Sequence, residues 1–151
     1  RLGRLDVPQL YPDTTGFQIG QARVLRIGTD VTIVACGIEV NLALDAAEKL
    51  STKGIDCEVI DAFSIKPLDH DTIINSAKKT GRVITAEEHS IIGGLGSAVA
   101  ELLAEAAGLS TEFKRLGVMD CFGTSGAYDE LFRAYQLDSE AIQAAVVEFY
   151  M

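Results

Sequence analysis

The hydrophobic pattern of the chain alternates between short β-branched runs and longer segments with helical spacing. Residues 31–35 read VTIVA, a nearly continuous β-branched run that is typical of a strand buried on both faces of a parallel sheet. Between residues 39 and 53, one helical face carries Val40, Leu44, Ala47 and Leu50, and Gly54 favours a helix end. These segments predict a strand followed by an amphipathic helix.

The same strand–helix unit recurs further along the chain. A second strand is predicted at 57–61, and a second helix begins after Pro67 with Asp69 or His70 near its N-cap. The remaining predicted elements are strands at 22–27, 83–86 and 113–116 and helices at 94–107, 128–135 and 138–149.

This order of elements predicts an α/β fold, a three-layer α/β/α sandwich with a mostly parallel sheet, because short right-handed crossovers join successive parallel strands. Ligands and partner domains meet such sheets at the carboxyl ends of the strands. Residues 1–20 hold two prolines and three glycines without periodicity, so we interpret them as a linker and 21–151 as the folded domain.

The charge balance indicates which classes of partner to expect, and the cysteine content indicates the compartment. The 13 Lys and Arg against 22 Asp and Glu give a net charge of −9, which disfavours nucleic acid and anionic membrane as partners. The apolar runs are far shorter than a membrane span. Three cysteines, an odd number without a CxxC pair, predict reduced thiols in the cytoplasm, and two histidines are too few for a structural zinc site.

The most conspicuous candidate for chemistry is the segment 87–97, EEHSIIGGLGS, which follows a strand and opens a helix. We expect free N–H groups and the positive end of the helix dipole there. Val99 breaks the dinucleotide-binding glycine pattern, so close packing or a domain contact is the alternative. His89 beside two carboxylates is a candidate acid or base, or else an interface residue. Ser125 lacks the spacing of a nucleophile elbow.

Five segments together carry a resemblance to a known family. They are 3–10 (GRLDVPQL), 28–35 (GTDVTIVA), 60–69 (IDAFSIKPLD), 87–98 (EEHSIIGGLGSA) and 122–125 (FGTS). As a set they resemble the C-terminal domain of thiamine-diphosphate-dependent transketolases over the whole chain. The similarity is greatest to the split-subunit type, whose C-terminal polypeptide carries a pyrimidine-binding domain before this one.

The resemblance implies a five-stranded mixed sheet with one antiparallel strand. It also implies that the intact enzyme is a cytoplasmic transketolase of the pentose phosphate pathway, which transfers a two-carbon ketol unit between sugar phosphates. Thiamine diphosphate and Mg²⁺ would be bound by the pyrimidine-binding and diphosphate-binding domains, which lie outside this chain. The chain alone would hold no catalytic residue, no metal ligand and no cofactor, and would be inactive. Its expected part is domain docking in a homodimer or heterotetramer.

The resemblance also assigns expected roles to particular residues. Arg4 matches a family arginine that grips the terminal phosphate of the substrate, and a guanidinium is suited to a bidentate pair with phosphate. The expected substrate-channel or domain-interface residues are Glu88, His89, Gly93, Gly94 and Gly96.

Related proteins leave alternatives open. Beta subunits of 2-oxo acid dehydrogenases share the Glu87–Glu88 pair but lack an arginine like Arg4. Deoxyxylulose-phosphate synthases share much of the glycine-rich loop but usually have Asn in place of His89. A free-standing regulatory α/β module is the alternative outside these enzymes, and a gene start directly before Arg1 would favour it.

Overall fold

The computed structural model describes residues 7–12 and 16–150. Strands and helices alternate between residues 31 and 134, as the hydrophobic pattern predicts, with one further strand before and one further helix after this part. The strands are β1 (Arg23–Arg26), β2 (Val31–Ala35), β3 (Cys57–Asp61), β4 (Arg82–Ser90) and β5 (Glu112–Val118). The helices are α1 (Glu39–Ser51), α2 (His70–Thr80), α3 (Leu95–Glu105), α4 (Tyr128–Ala134) and α5 (Ser139–Glu148).

The strands form one mixed sheet in the order β1-β3-β2-β4-β5. β1 pairs antiparallel with β3, and the other neighbouring pairs are parallel. The predicted five-stranded mixed sheet with one antiparallel strand is therefore confirmed. Parallel pairing brings the carboxyl ends of β2, β3, β4 and β5 to a single edge of the sheet, which we call the carboxyl edge.

Two apolar layers cover the sheet, one on each face. Successive side chains of a strand point to opposite faces, so Ile33 packs in the layer of α1 and α5 while Val34 packs in the layer of α2 and α3. Both side chains are completely buried, and burying one of this size contributes about 1.5–3 kcal/mol. The sheet is covered on both faces, as its continuous β-branched strands require.

Side-chain caps set the starts of two helices. Asp69 Oδ1 accepts a hydrogen bond from Thr72 N at 3.0 Å, and Asp138 Oδ1 accepts one from Ala141 N at 2.9 Å. These aspartates are the N-caps of α2 and α5. Of the two N-cap candidates for α2, the structure selects Asp69.

Two strands are longer than predicted. β4 continues through the polar residues 87–89 to Ser90, which pairs with Val118 of β5 after a register shift. The sequence pattern missed this extension because polar residues do not continue a buried apolar run.

The start of the described chain packs on the domain instead of lying free. We call residues 7–12 and 16–22 the strap. Leu10 packs against the α1–α5 layer, Gly20 N donates to Ser64 Oγ at 2.9 Å, and Ala22 N donates to Asp69 Oδ2 at 2.9 Å. The strap therefore runs along the carboxyl edge beside β3. The division of the chain at residue 20 stays a prediction.

Candidate functional site

The N-terminus of α3 is closed by a side chain of its own domain. Both carboxylate oxygens of Glu87 accept hydrogen bonds at 2.7 Å, Oε2 from Leu95 N and Oε1 from Gly96 N. Glu87 is buried, so its negative charge compensates the positive end of the helix. The expectation of free N–H groups at this helix start is wrong for Leu95 and Gly96, because Glu87 accepts from both.

Two glycines make the Glu87 cap possible. A Cβ on Gly94 would collide with the Glu87 carboxylate and come within 2.9 Å of His89 Nδ1. A Cβ on Gly96 would lie 2.8 Å from Thr85 Oγ1 and 2.9 Å from Arg115 Cδ. The small residues are therefore explained by close packing of the loop, as the alternative interpretation expected. Gly93, by contrast, adopts a positive φ of 77°.

Ser97 and Arg115 fix the rest of the glycine-rich loop. Ser97 Oγ accepts from Gly93 N at 2.9 Å and donates to Ile91 O at 3.1 Å. Arg115 Nη1 donates to Ile91 O at 2.8 Å. Sequence reasoning missed Arg115, because its contacts connect β5 to a loop 24 residues earlier in the chain.

His89 is exposed at the carboxyl edge, next to this loop. Its Nδ1 lies 2.7 Å from the backbone oxygen of Ser90, to which it donates, and 3.9 Å from Glu87 Oε2. Because Nδ1 donates to Ser90 O and lies beyond hydrogen-bond distance from Glu87 Oε2, Glu87 does not orient His89 through a hydrogen bond in this structure.

Glu88 faces the opposite side of the sheet from Glu87, where it meets a buried carboxyl group. Glu39, in the first turn of α1, is 1% exposed. Burial, together with the negative charges of Glu88 and Asp138, raises its pKa to about 8. Burial of the Tyr128 side chain, together with the negative charges of Glu88 and Glu39, also raises the pKa of Tyr128.

Within the described part of the chain, Glu39 Oε1 and Tyr128 Oη are buried without a hydrogen-bond partner. We name Glu39, Glu88, Tyr128 and Asp138 the acidic cluster. No local sequence pattern indicates this cluster, because an acidic residue in the first turn of a helix is ordinary.

The strap is attached to the carboxyl end of β3 by a hydrogen bond and to Arg23 of β1 by cation–π contacts. Tyr11 Oη donates to Asp61 Oδ2 at 2.6 Å. The guanidinium of Arg23 lies over two rings, 5.1 Å from the centre of Tyr11 and 4.1 Å from that of Phe17. Arg4, the predicted phosphate ligand, lies outside the described residues, seven positions before Tyr11.

The described residues contain no group of three or more metal-ligating side chains placed to hold a metal ion. None of the helices in the same ranges has the length and apolar character to cross a bilayer. Because Glu87 occupies the N–H groups of Leu95 and Gly96, the start of α3 does not fit a diphosphate group.

The family profile described as "Transketolase, C-terminal domain" matches residues 20–142. The chain belongs to the transketolase C-terminal domain family. It is 44% identical over 148 residues to the 6-deoxy-6-sulfo-D-fructose transketolase subunit SqwH of Clostridium sp. (strain MSTE9), covering 98% of this chain and 45% of that subunit. It is also 44% identical over 131 residues to 1-deoxy-D-xylulose-5-phosphate synthase 1 of Geobacter sulfurreducens, covering 87% of this chain and 21% of the synthase.

A solved structure described as "Split gene transketolase, inactive beta4 tetramer" has the same fold. Its TM-score is 0.92 at 45% identity, over 98% of this chain and 48% of the other. This transketolase C-terminal domain therefore spans less than half the length of the transketolase subunits that it matches.

Proposed function

We propose that this domain is the C-terminal part of a split-type transketolase subunit, and that the whole enzyme transfers a two-carbon ketol unit between sugar phosphates. The observation that supports this most strongly is the likeness over 98% of the chain to a split-gene transketolase. In the proposal, thiamine diphosphate and Mg²⁺ supply the carbanion chemistry and are bound by domains outside this chain.

The proposed role of the domain is to dock the pyrimidine-binding and diphosphate-binding domains and to supply one substrate contact. Glu88, His89, Gly93, Gly94 and Gly96 lie at or beside the carboxyl edge, where partner domains meet such sheets. We infer a homodimer or heterotetramer in the cytoplasm. The subunit designation of the relative supports an assembly, and the exposed thiol of Cys121 suits a reducing compartment.

Arg4 is the proposed ligand of the anionic end of the substrate. A protein of net charge −9 repels anionic sugars in general, so a local cation is needed where the substrate binds. A guanidinium fork pairs with phosphate through two charge-assisted hydrogen bonds. The tetrahedral sulfonate of a sulfonated sugar, the substrate in the name of the Clostridium relative, presents similar oxygens.

Activity of the complete enzyme tests this proposal. We expect the polypeptide that contains this domain, combined with its diphosphate-binding subunit, to move two labelled carbons from a ketose phosphate to an aldose phosphate. If pyruvate replaces the ketose phosphate as donor, loss of CO2 with formation of 1-deoxy-D-xylulose 5-phosphate would favour the synthase, which is the second candidate because one synthase is also 44% identical to this domain. A polypeptide that begins at Arg1 would contradict the split-type architecture.

A further inference from the structure

Exposed apolar side chains concentrate at the carboxyl edge. Ten large apolar side chains are exposed among the described residues. Four of them lie in the segments that directly follow β3, β4 and β5 at this edge: Ile65, Ile92, Met119 and Phe122. Two more, Phe17 and Ile19, lie in the strap beside Ile65.

At the opposite edge of the sheet, where the parallel strands begin, fewer large apolar side chains are exposed, chiefly Ile27 and Tyr150. Phe122 is fully exposed, Met119 is 65% exposed and Ile92 is 58% exposed. Exposed apolar side chains gathered on one surface mark interaction sites, whereas scattered ones are ordinary.

The segment after β5 is an exposed loop that hydrogen bonds hold to the domain. Ile91 N donates to Val118 O at 3.0 Å, so Ile92 and Met119 leave the sheet side by side. Thr124 N donates to Tyr135 Oη at 2.8 Å, which ties the loop to the end of α4. All residues from 119 to 127 are nevertheless exposed. The loop is therefore attached to the domain but uncovered.

The path of the chain indicates what covers this surface. The strap runs along the same edge and is fixed at Tyr11 to the last residue of β3, so the described part of the chain enters the domain beside this edge. The Clostridium relative extends roughly 180 residues beyond the matched part. A domain of that size is about 40 Å across. The edge from β3 to β5 is only about 14 Å wide, because neighbouring strands lie about 4.8 Å apart.

We propose that the loop 119–124, with Ile92, is the docking surface for the upstream half of the same polypeptide. This inference rests on the proposed function, since it takes the upstream half from the split-type architecture. Phe122 and Met119 would provide the apolar centre of the contact, and the loop would lose its exposure when the upstream half is present.

Cys121 lies in this loop and its thiol is exposed, so its rate of alkylation measures whether the loop is covered. We would measure its alkylation by N-ethylmaleimide, mapped by mass spectrometry, in the 151-residue chain and in the polypeptide that includes the upstream half. The matched control is an Ile27→Cys variant of the longer polypeptide, because Ile27 is 78% exposed at the opposite edge. Buried Cys57 serves as the internal check of folding.

We expect Cys121 to react at least about tenfold more slowly in the longer polypeptide at every protein concentration, while the thiol introduced at position 27 stays reactive. Equal Cys121 rates in the two polypeptides would overturn the proposal. Protection that disappears on dilution would assign the surface to a second copy and also overturn it, as would protection that needs a separate subunit. Ketol transfer is assayed after the same preparation is combined with its diphosphate-binding subunit, so protection without activity would contradict the transketolase assignment alone.

Discussion

Tyr11 Oη lies 2.6 Å from Asp61 Oδ2, and this hydrogen bond joins the strap to the carboxyl end of β3. Asp61 is buried, and burial raises its pKa, while the bond from Tyr11 and the charge of Arg23 oppose that rise. The strap, which lacks hydrophobic periodicity, is thus held at a defined place on the domain. The residue that holds it, Tyr11, comes seven residues after Arg4 in the sequence.

Tyr11→Phe removes the donor and leaves a buried carboxylate oxygen without this partner. We expect the free energy of unfolding to fall by about 1–3 kcal/mol, measured by urea unfolding of the chain. Tyr150→Phe is the matched control, because its ring is exposed, and a change below about 0.5 kcal/mol is expected there. Equal effects of the two substitutions would show that the Tyr11–Asp61 bond does not hold the strap.

Glu87→Ala uncovers the start of α3. The substitution removes both acceptors of the Leu95 and Gly96 N–H groups and leaves those donors buried, so we expect a loss of about 3–5 kcal/mol in urea unfolding. Glu101→Ala, at an exposed position of the same helix, is expected to change stability by less than about 0.5 kcal/mol. A Glu87→Ala protein as stable as wild type would contradict the capping role.

Gly94→Ala places a methyl group against the Glu87 carboxylate. We expect a cost of about 1–3 kcal/mol, as for other overpacked sites, and a lower melting temperature. The control is Gly123→Ala, because a Cβ at Gly123 would meet no atom within 4 Å. Thermal unfolding of the two variants compares them directly, and a wild-type melting temperature for Gly94→Ala would exclude the packing explanation.

Glu39→Gln tests the acidic cluster through the pH dependence of stability. The pKa of Glu39 is raised from its ordinary 4.5 to about 8 by burial, so between these values the native state holds a proton that the unfolded state releases. The stability contribution of the protonated group is therefore complete below about pH 4.5 and is lost as pH rises through 8.

We expect wild-type stability to fall by several kcal/mol relative to the Gln variant between pH 5 and pH 9, since each pKa unit corresponds to about 1.4 kcal/mol. Urea unfolding at a series of pH values measures this difference. Glu48→Gln, at an exposed position of the same helix, should leave the pH dependence unchanged. Parallel pH profiles for wild type and Glu39→Gln would show that Glu39 is ionised in the native state at neutral pH.

The hydrophobic pattern predicted the order of strands and helices along the chain and the three layers of the fold. It could do so because buried apolar runs and helical spacing are local signals. The Asp69 cap could be predicted as one of two candidates, because the helix start after Pro67 is also a local signal. The Glu87 cap could not, since it needs the extension of β4 and a helix start that brings residues eight positions apart into contact. Glu39 and Arg115 were missed because burial and long-range contacts are not visible in their local sequence.

The most direct test of the central claim is the substrate dependence of an Arg4→Ala variant of the complete enzyme, with Arg1→Ala as the neighbouring control. Hydrogen bonds to charged groups contribute about 1.5–3 kcal/mol, so kcat/KM for a phosphorylated ketose donor should fall about 10- to 150-fold. The loss should be small for an unphosphorylated donor such as hydroxypyruvate, and Arg1→Ala should resemble wild type with both. Equal losses with both donors, no loss with either, or no ketol transfer by the wild-type enzyme would contradict the account.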